Sequence, residues 1–162
     1  MKRAAVYTVV FFFLAPGTTA GLVPWLITQW ERPDGGVGVL DVLGTGLVVL
    51  GLAAVMACFW RFVTEGLGTP APVAPTESLV VGGLYRHVRN PMYLAVASII
   101  GGQALIFRST GVLWWLLVFL VSVWAFVRGY EEPELARQHG DSYQRYRDAV
   151  PGWWPRLRPY QG

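Results

Sequence analysis

Residues 82–107 read GGLYRHVRNPMYLAVASIIGGQALIF. This stretch passes from a loop with two arginines directly into an apolar segment without charged side chains. A second polar cluster, Tyr130-Glu131-Glu132-Pro133, follows the next apolar segment. In an otherwise apolar protein, ionisable side chains at the ends of membrane helices are the first place to look for chemistry. The sequence therefore predicts helices that cross a membrane and a functional site at their polar ends.

Composition supports a membrane protein and excludes several other classes. The 162 residues are 54% hydrophobic and only 14% charged, which is too little charge to cover a soluble domain. A net charge of +3 without a basic stripe does not indicate nucleic-acid binding. The single Cys58 excludes an internal disulfide, and two distant histidines offer no metal-ligand spacing. We expect neither a nucleic acid nor a metal among the partners.

Intervals free of charged side chains locate the membrane spans. Each is close to the ~20 residues that a helix needs to cross a bilayer. The intervals are 4–29, 42–60, 90–107 and 109–127. They predict an all-α integral membrane protein with about four transmembrane helices. The first interval also resembles a signal peptide with a cleavage site near Ala20, but its apolar run continues to Ile27 and favours an uncleaved helix.

The distribution of basic residues predicts the topology. With a cytoplasmic N-terminus, eleven of the 13 lysines and arginines face the cytoplasm, and only Arg32 and Arg108 lie outside. This positive-inside bias makes the protein multi-pass, with both termini and the C-terminal tail cytoplasmic. We expect two units: an N-terminal transmembrane hairpin, 1–63, and a core, 64–162, with a cytoplasmic loop, a second transmembrane hairpin and a helical tail. Three prolines predict that 69–75 is extended.

The tail is predicted to be helical and to lie at the membrane surface. Pro133 suits the first turn of a new helix that stops at Gly140. Asp141 can cap a second helix, and the tail would end in an interfacial anchor around Trp153-Trp154. The residues that fall on one face of the second helix are Tyr143, Tyr146 and Val150. We expect His87 to be a solvated loop residue.

Five motifs in order resemble one family of enzymes. They are Gly83-Leu84-Tyr85, Arg89-Asn90-Pro91-Met92-Tyr93, Glu131-Glu132-Pro133, the stretch 140–146 and Val150-Pro151. Together they make about residues 77–155 similar to the isoprenylcysteine carboxyl methyltransferase and phospholipid methyltransferase family of integral-membrane enzymes. The motifs at 90–93 and 130–133 look closest to the phosphatidylethanolamine N-methyltransferases. Arg89 and the tail look more like the prenylcysteine enzymes.

The resemblance implies a cofactor and a reaction. It implies that S-adenosylmethionine is held between the last helix hairpin and the tail, and that its methyl group goes to a membrane-embedded or amphipathic lipid or lipophilic small molecule at the cytoplasmic face. Arg89 and Glu132 would close or orient the catalytic site. The implied cofactor contacts are Glu77, Ser78, Leu79, Val80, Tyr85, Asn90, Pro91, Met92, Tyr93 and Glu131, with Gly44 and Gly46 from an earlier span.

The chemistry of these side chains suits that cofactor, although other interpretations are open. A glutamate can pair with its ammonium group, an arginine with its carboxylate, and tyrosine rings with its sulfonium or adenine. Alternatively, Glu131 and Glu132 pair with Arg89 or Arg128 at a helix end, and Gly44 and Gly46 serve helix packing. Rival functions are an NADPH-dependent membrane reductase of the sterol-reductase type and a non-enzymatic membrane scaffold.

Overall fold

Helices make up the regular structure of the described chain. The computed structural model describes residues 16–65 and 79–161, and no β-strand occurs in these two ranges. The α-helices are α1 (Val23–Thr28), α2 (Val39–Thr64), α3 (Pro91–Ile106), α4 (Thr110–Phe126) and α5 (Glu132–Ala149). Shorter helical pieces are the π-helical turns Thr18–Leu22 and Val127–Glu131 and the 3₁₀ helix Gly83–Arg86. The prediction of an all-helical protein is confirmed for this part of the chain.

Within the described residues, two helical segments are long and apolar enough to cross a membrane. They are Val39–Arg61, within α2, and Thr110–Ala149, whose apolar part is α4. The apolar helix α3 is shorter, at 16 residues. Pro91 starts α3 at a position where its missing N–H breaks no hydrogen bond, and the Ser109 side chain caps α4 by accepting from the Val112 N–H. Both helices therefore begin where the charge-free intervals predict.

Glycines bring α2 and α3 together as antiparallel neighbours. A Cβ placed on Gly44 would lie 2.6 Å from the Gly102 carbonyl oxygen, and one on Gly51 would lie 2.7 Å from the Ala95 carbonyl oxygen. A larger side chain at either position would force the backbones apart, since such small separations essentially never occur. The helices touch through backbone, as is common in membrane bundles.

Pro24 leaves backbone carbonyl groups of the first helical segment without a donor from their own helix, and side chains of other helices donate to them instead. Pro24 has no N–H to donate to the preceding turn. The carbonyl oxygens of Thr19 and Ala20 instead accept hydrogen bonds from the Trp115 indole at 2.8 Å and the Gln103 amide at 2.6 Å. Polar side chains of α3 and α4 thus fix this segment against the bundle. The first predicted span continues into residues 1–15, which lie outside the described range.

Pro133 lies in the first turn of α5, as predicted, but no break in the helical backbone separates α5 from α4. The chain stays helical from α4 through the π-helical turn Val127–Glu131 into α5. In this turn the Glu132 N–H bonds to the Val127 carbonyl, five residues back. Pro133 cannot donate a hydrogen bond and its ring crowds the preceding turn, so the wider π-helical turn accommodates it without ending the helix.

The chain reverses direction at Gly140, where the sequence predicts a helix stop. Gly140 has φ 51° and ψ −127° inside α5, a conformation that favours glycine. A straight helix would separate Glu132 from Arg147 by roughly 22 Å. Their side chains instead lie 4.0 Å apart. The second half of α5 therefore returns towards the end of α4, and the predicted face of Tyr143, Tyr146 and Val150 is buried.

The residues after α5 run along the loop that precedes α3. The Arg89 N–H donates to the Pro151 carbonyl at 2.9 Å, and the Arg156 N–H donates to the His87 carbonyl at 2.9 Å. The His87 ring also donates through Nδ1 to the Arg156 carbonyl at 2.8 Å. The expectation that His87 is solvated is therefore wrong, because its partner comes from the distant tail. The prediction for 69–75 falls outside the described residues.

Candidate functional site

The end of α2 fixes the loop that carries the first motif. Gly83 has φ +56°, and a Cβ there would lie 2.9 Å from Arg61 Nε. The Gly82 N–H donates to the Glu65 carboxylate at 3.0 Å, and Glu65 also pairs with Arg61. Only glycine tolerates both the left-handed conformation and the close approach, so the Gly82-Gly83 pair sets where the 3₁₀ helix begins.

Arg89 joins the start of α3 to the start of α5 and to the tail. Its guanidinium pairs with Glu132 Oε1 at 2.7 Å, and the side chains are only 14% and 9% exposed, respectively. It also donates to the Val150 carbonyl at 2.9 Å and the Tyr143 hydroxyl at 3.2 Å. A buried arginine with this many partners holds segments together. Arg89 and Glu132 are thus brought together, in the ion pair that the sequence leaves open as an alternative interpretation.

Two further arginines approach the second oxygen of Glu132. Arg128 lies 3.6 Å and Arg147 4.0 Å from Glu132 Oε2. The first is on the π-helical turn, and the second reaches this point because the chain reverses at Gly140. Glu132 is therefore surrounded by positive charge.

The neighbouring carboxylate, Glu131, has a different environment. Its Oε2 accepts a hydrogen bond from the Tyr93 hydroxyl at 2.8 Å. Within residues 16–65 and 79–161, no lysine or arginine comes within ion-pair distance of Glu131. The two adjacent glutamates thus differ sharply, since one has three cationic neighbours and the other has a neutral partner.

Burial raises the pKa of Glu131 above its ordinary value of 4.5. The residue lies beyond the apolar stretch that ends at Val127. The negative charge of Glu132 raises the pKa further, whereas the Tyr93 hydrogen bond lowers it. A carboxylate that is costly to ionise becomes more favourable as an anion when a positive group binds beside it. The arrangement is suited to a cationic ligand.

Asn90 ties the start of α3 to the tail. It is buried, and both its backbone N–H and its side-chain amide donate to the Gly152 carbonyl, at 3.2 and 3.1 Å. Gly152 leaves little space beside this contact, since a Cβ there would lie 3.2 Å from Arg89 Nη2. These contacts hold the tail next to Arg89, the preceding residue, and about one helical turn before Tyr93.

Tyr85 lies in the core beneath these groups. It is 8% exposed, and its hydroxyl forms a hydrogen bond with the thiol of Cys58. Burial raises the pKa of Tyr85 well above its ordinary value, and the charge of nearby Glu131 contributes. Its carbonyl oxygen accepts from the Tyr146 hydroxyl at 2.7 Å. Tyr85 therefore packs inside the protein next to the site, and little of its ring is exposed to a ligand.

The remaining predicted residues occupy several places. Val80 and Met92 are buried in the apolar core. Leu79 packs against the buried cluster of Tyr143, Tyr146 and Val150. Pro91 is the first residue of α3. Glu77 and Ser78 lie outside the described residues.

Gly44 and Gly46 lie at the other end of the α2–α3 pair from Tyr93. Gly44 contacts Gly102, nine residues along α3 from Tyr93, whereas a Cβ on Gly46 would meet nothing within 4 Å. The structure does not bring these two glycines close to Glu131 and Tyr93. Close packing alone accounts for a glycine at position 44.

Sequence reasoning missed most of the partners that the tail supplies. The carbonyl groups of Val150, Pro151 and Gly152 accept from Arg89 and Asn90, and a backbone acceptor has no side-chain signature. The Tyr143 hydroxyl also joins the Arg89 cluster. For this residue a signal existed, because its helical spacing with Tyr146 and Val150 predicts a buried face.

Comparison with known proteins identifies the family of the chain. Residues 39–142, more than half of the chain, match the phospholipid methyltransferase family. The match includes α2, α3, α4 and the two adjacent glutamates. No curated protein and no solved structure matches the chain.

Proposed function

The chain belongs to the phospholipid methyltransferase family, and from this premise we propose that it transfers a methyl group from S-adenosylmethionine to a lipid or lipophilic acceptor at the cytoplasmic membrane face. The family is a methyltransferase family, which supports enzymatic activity on lipid-like substrates. The cofactor, the acceptor and the membrane face are parts of the proposal.

The observation that carries the proposal is the state of Glu131. It is a largely buried carboxylate with a neutral hydrogen-bond partner, Tyr93, at 2.8 Å, and no ion-pair partner within the described residues. Buried carboxylates are normally paired with a cation. A ligand that brings an ammonium or sulfonium group would complete the site, and S-adenosylmethionine carries both.

The surrounding residues fit this cofactor in chemical type. Glu131 would bind the ammonium group, Tyr93 would orient that carboxylate, and the ring of Tyr93 offers an electron-rich face to a cation. Arg89 and Asn90 would close the site by holding the tail against α3. When bound, S-adenosylmethionine supplies an electrophilic methyl group.

The chain contributes position and environment to methyl transfer. Methyl transfer to an amine, thiol or oxygen needs no covalent enzyme intermediate, so placing the acceptor near the methyl group and excluding water can supply much of the acceleration. The site lies at the start of α3, beyond the apolar part of α4. An acceptor that enters sideways from the bilayer would reach it without leaving its lipid environment.

We place the site on the cytoplasmic side because of the positive-inside bias of the sequence. In this arrangement α2, α3 and α4 cross the membrane together with the first span, which gives four spans and two cytoplasmic termini. The ion pair between Asp41 and Arg108 at 3.0 Å then lies at the opposite face.

The direct experiment measures cofactor binding in detergent. We expect S-adenosylmethionine to bind the wild-type protein in calorimetry, and Glu131→Gln to weaken binding at least about tenfold, as for the loss of a charge-assisted hydrogen bond. Glu134→Gln is the matched control, since that carboxylate lies three residues further along the chain, on α5, but already pairs with Arg137. It should bind the cofactor like the wild type.

Two results would contradict the proposal. The first is no binding by protein whose melting curve shows that it is folded, which would favour a reductase or a scaffold. The second is equal affinity in the wild type and Glu131→Gln, which would move the cofactor away from this carboxylate. If binding is found, transfer of a labelled methyl group to membrane lipids identifies the acceptor.

A further inference from the structure

Two arginines near Glu132, the neighbour of Glu131, carry more positive charge than this one carboxylate can neutralise. The charge of Glu132 is already matched by Arg89 at 2.7 Å. Arg128 and Arg147 approach the other carboxylate oxygen at the longer distances of 3.6 and 4.0 Å. Three guanidinium groups around one carboxylate leave a local excess of positive charge.

Two other carboxylates of α5 interact with residues other than Arg128 and Arg147. Glu134 pairs with Arg137 at 2.7 Å, and Asp148 accepts a hydrogen bond from Gln144 at 3.0 Å. Among the described residues, Glu132 is the carboxylate within 4.0 Å of Arg128 and of Arg147. Each guanidinium group has several N–H donors, so the contact with Glu132 leaves donors for a further anion.

Both arginines are accessible and lie at the end of an apolar helix. Their side chains are 56% and 39% exposed, whereas that of Glu132 is 9% exposed. Arg128 directly follows Val127, where the apolar sequence ends, and the reversal at Gly140 brings Arg147 to the same level. In a membrane this level is the interface, where headgroup phosphates lie.

We propose that Arg128 and Arg147 bind the phosphodiester group of a phospholipid and so position a lipid beside Glu131. Guanidinium groups present planar sets of N–H donors that match phosphate oxygens. A lipid anion held there would leave Glu131 available for a cation. The role of the bound lipid as methyl acceptor rests on the proposed function, but the binding of the phosphodiester does not.

The test uses short-chain lipids and the full chain in detergent. The probe is dihexanoylphosphatidylmethanol, a phosphodiester without an amine, and binding is measured by calorimetry. We expect Arg128→Gln/Arg147→Gln to bind it at least about tenfold more weakly than the wild type, because charge-assisted hydrogen bonds are lost. Arg128→Lys/Arg147→Lys should recover part of the affinity. Arg137→Gln, an exposed arginine of the same helix that pairs with Glu134, should bind like the wild type.

Further measurements separate the possible ligands. Dihexanoylglycerol, which lacks the phosphate, should bind weakly to all variants, and inorganic phosphate should bind more weakly than the lipid. Affinity for S-adenosylmethionine should stay within about twofold in the double glutamine variant, since the two sites are distinct. Melting curves show which variants are folded.

Three outcomes would overturn the proposal. Equal lipid binding by the double glutamine variant would place the headgroup elsewhere. Inorganic phosphate binding as tightly as the lipid would make the arginines a site for a free anion. A parallel loss of S-adenosylmethionine affinity would assign them to the cofactor carboxylate. Lipid binding as expected without any cofactor binding would contradict the proposed function alone.

Discussion

At the scale of single residues, two adjacent glutamates have opposite environments. Glu132 forms a buried ion pair with Arg89 at 2.7 Å, whereas Glu131 has the Tyr93 hydroxyl at 2.8 Å. The first arrangement stabilises the contact between α3, α5 and the tail. The second leaves a negative charge for a ligand to neutralise.

The raised pKa of Glu131 gives a test in the absence of any ligand. Because the pKa is higher in the folded than in the unfolded protein, this group stabilises the fold below about pH 4.5, and the stabilisation is lost as the pH rises through the folded value. We expect Glu131→Gln to be more stable than the wild type near neutral pH and to match it below about pH 4.5. Thermal unfolding in detergent across this range measures both. A constant difference at all pH values would contradict the prediction.

Removing Arg89 should be costly for stability. Arg89→Ala takes the closest partner from a carboxylate that is 9% exposed, and breaking a buried pair in this way costs about 3 kcal/mol. Chemical unfolding in detergent gives the difference. Arg137→Ala is the control because its side chain is 77% exposed, and surface ion pairs contribute less than about 1 kcal/mol. If both variants lose the same small amount, Arg89 does not hold the tail.

At the scale of helices, α2 and α3 approach through glycine. We expect Gly44→Ala to destabilise the protein by about 1–3 kcal/mol, since its methyl group would lie 2.6 Å from a backbone oxygen of α3. Gly46→Ala meets nothing within 4 Å and should leave the melting temperature unchanged or slightly higher. Melting curves of the two variants test the packing. Loss of S-adenosylmethionine affinity in a folded Gly46→Ala protein would instead support the cofactor role suggested by the family resemblance.

The starts of α3 and α4 could be predicted from sequence because they depend on local chemistry. An interval without charge, a proline that tolerates the first helical turn and a serine cap are all visible in the sequence. The position of Pro133 in the first turn of α5 is predictable in the same way, but the continuity of α4 with α5 is not. The π-helical turn that accommodates Pro133 depends on the surrounding structure.

The components of the candidate site were predictable, but the pairings were not. The motifs indicated Arg89, Tyr93, Glu131 and Glu132. Which glutamate pairs with arginine depends on where the chain reverses at Gly140 and where the tail returns. Arg89 and Asn90 also donate to carbonyl groups of the tail, at Val150 and Gly152. Backbone acceptors of this kind cannot be predicted from a pattern of side chains.

At the scale of the whole molecule, the charge distribution predicts the orientation. In a variant whose buried Cys58 is replaced by alanine, we expect Asp34→Cys to react with a membrane-impermeant maleimide on intact cells. Ser142→Cys should react only after the membrane is opened, because the tail carries the basic residues that favour the cytoplasm. Both positions are exposed in the structure. The reverse labelling pattern would contradict the predicted topology and move the site to the opposite face.

The π-helical turn at Val127–Glu131 has an evolutionary consequence. A π-helical turn holds one residue more than the α-helical turn it replaces, so loss of a single codon within it could restore α-helical spacing while α5 keeps its orientation relative to α4. Such a deletion would leave Glu132 facing Arg89 and change the direction of Glu131, which lies within the turn, although every remaining amino acid stayed the same. Insertions and deletions at this turn are therefore a route by which family members can diverge in ligand charge preference. Gap positions there deserve as much weight in comparing relatives as the identities of the acidic residues.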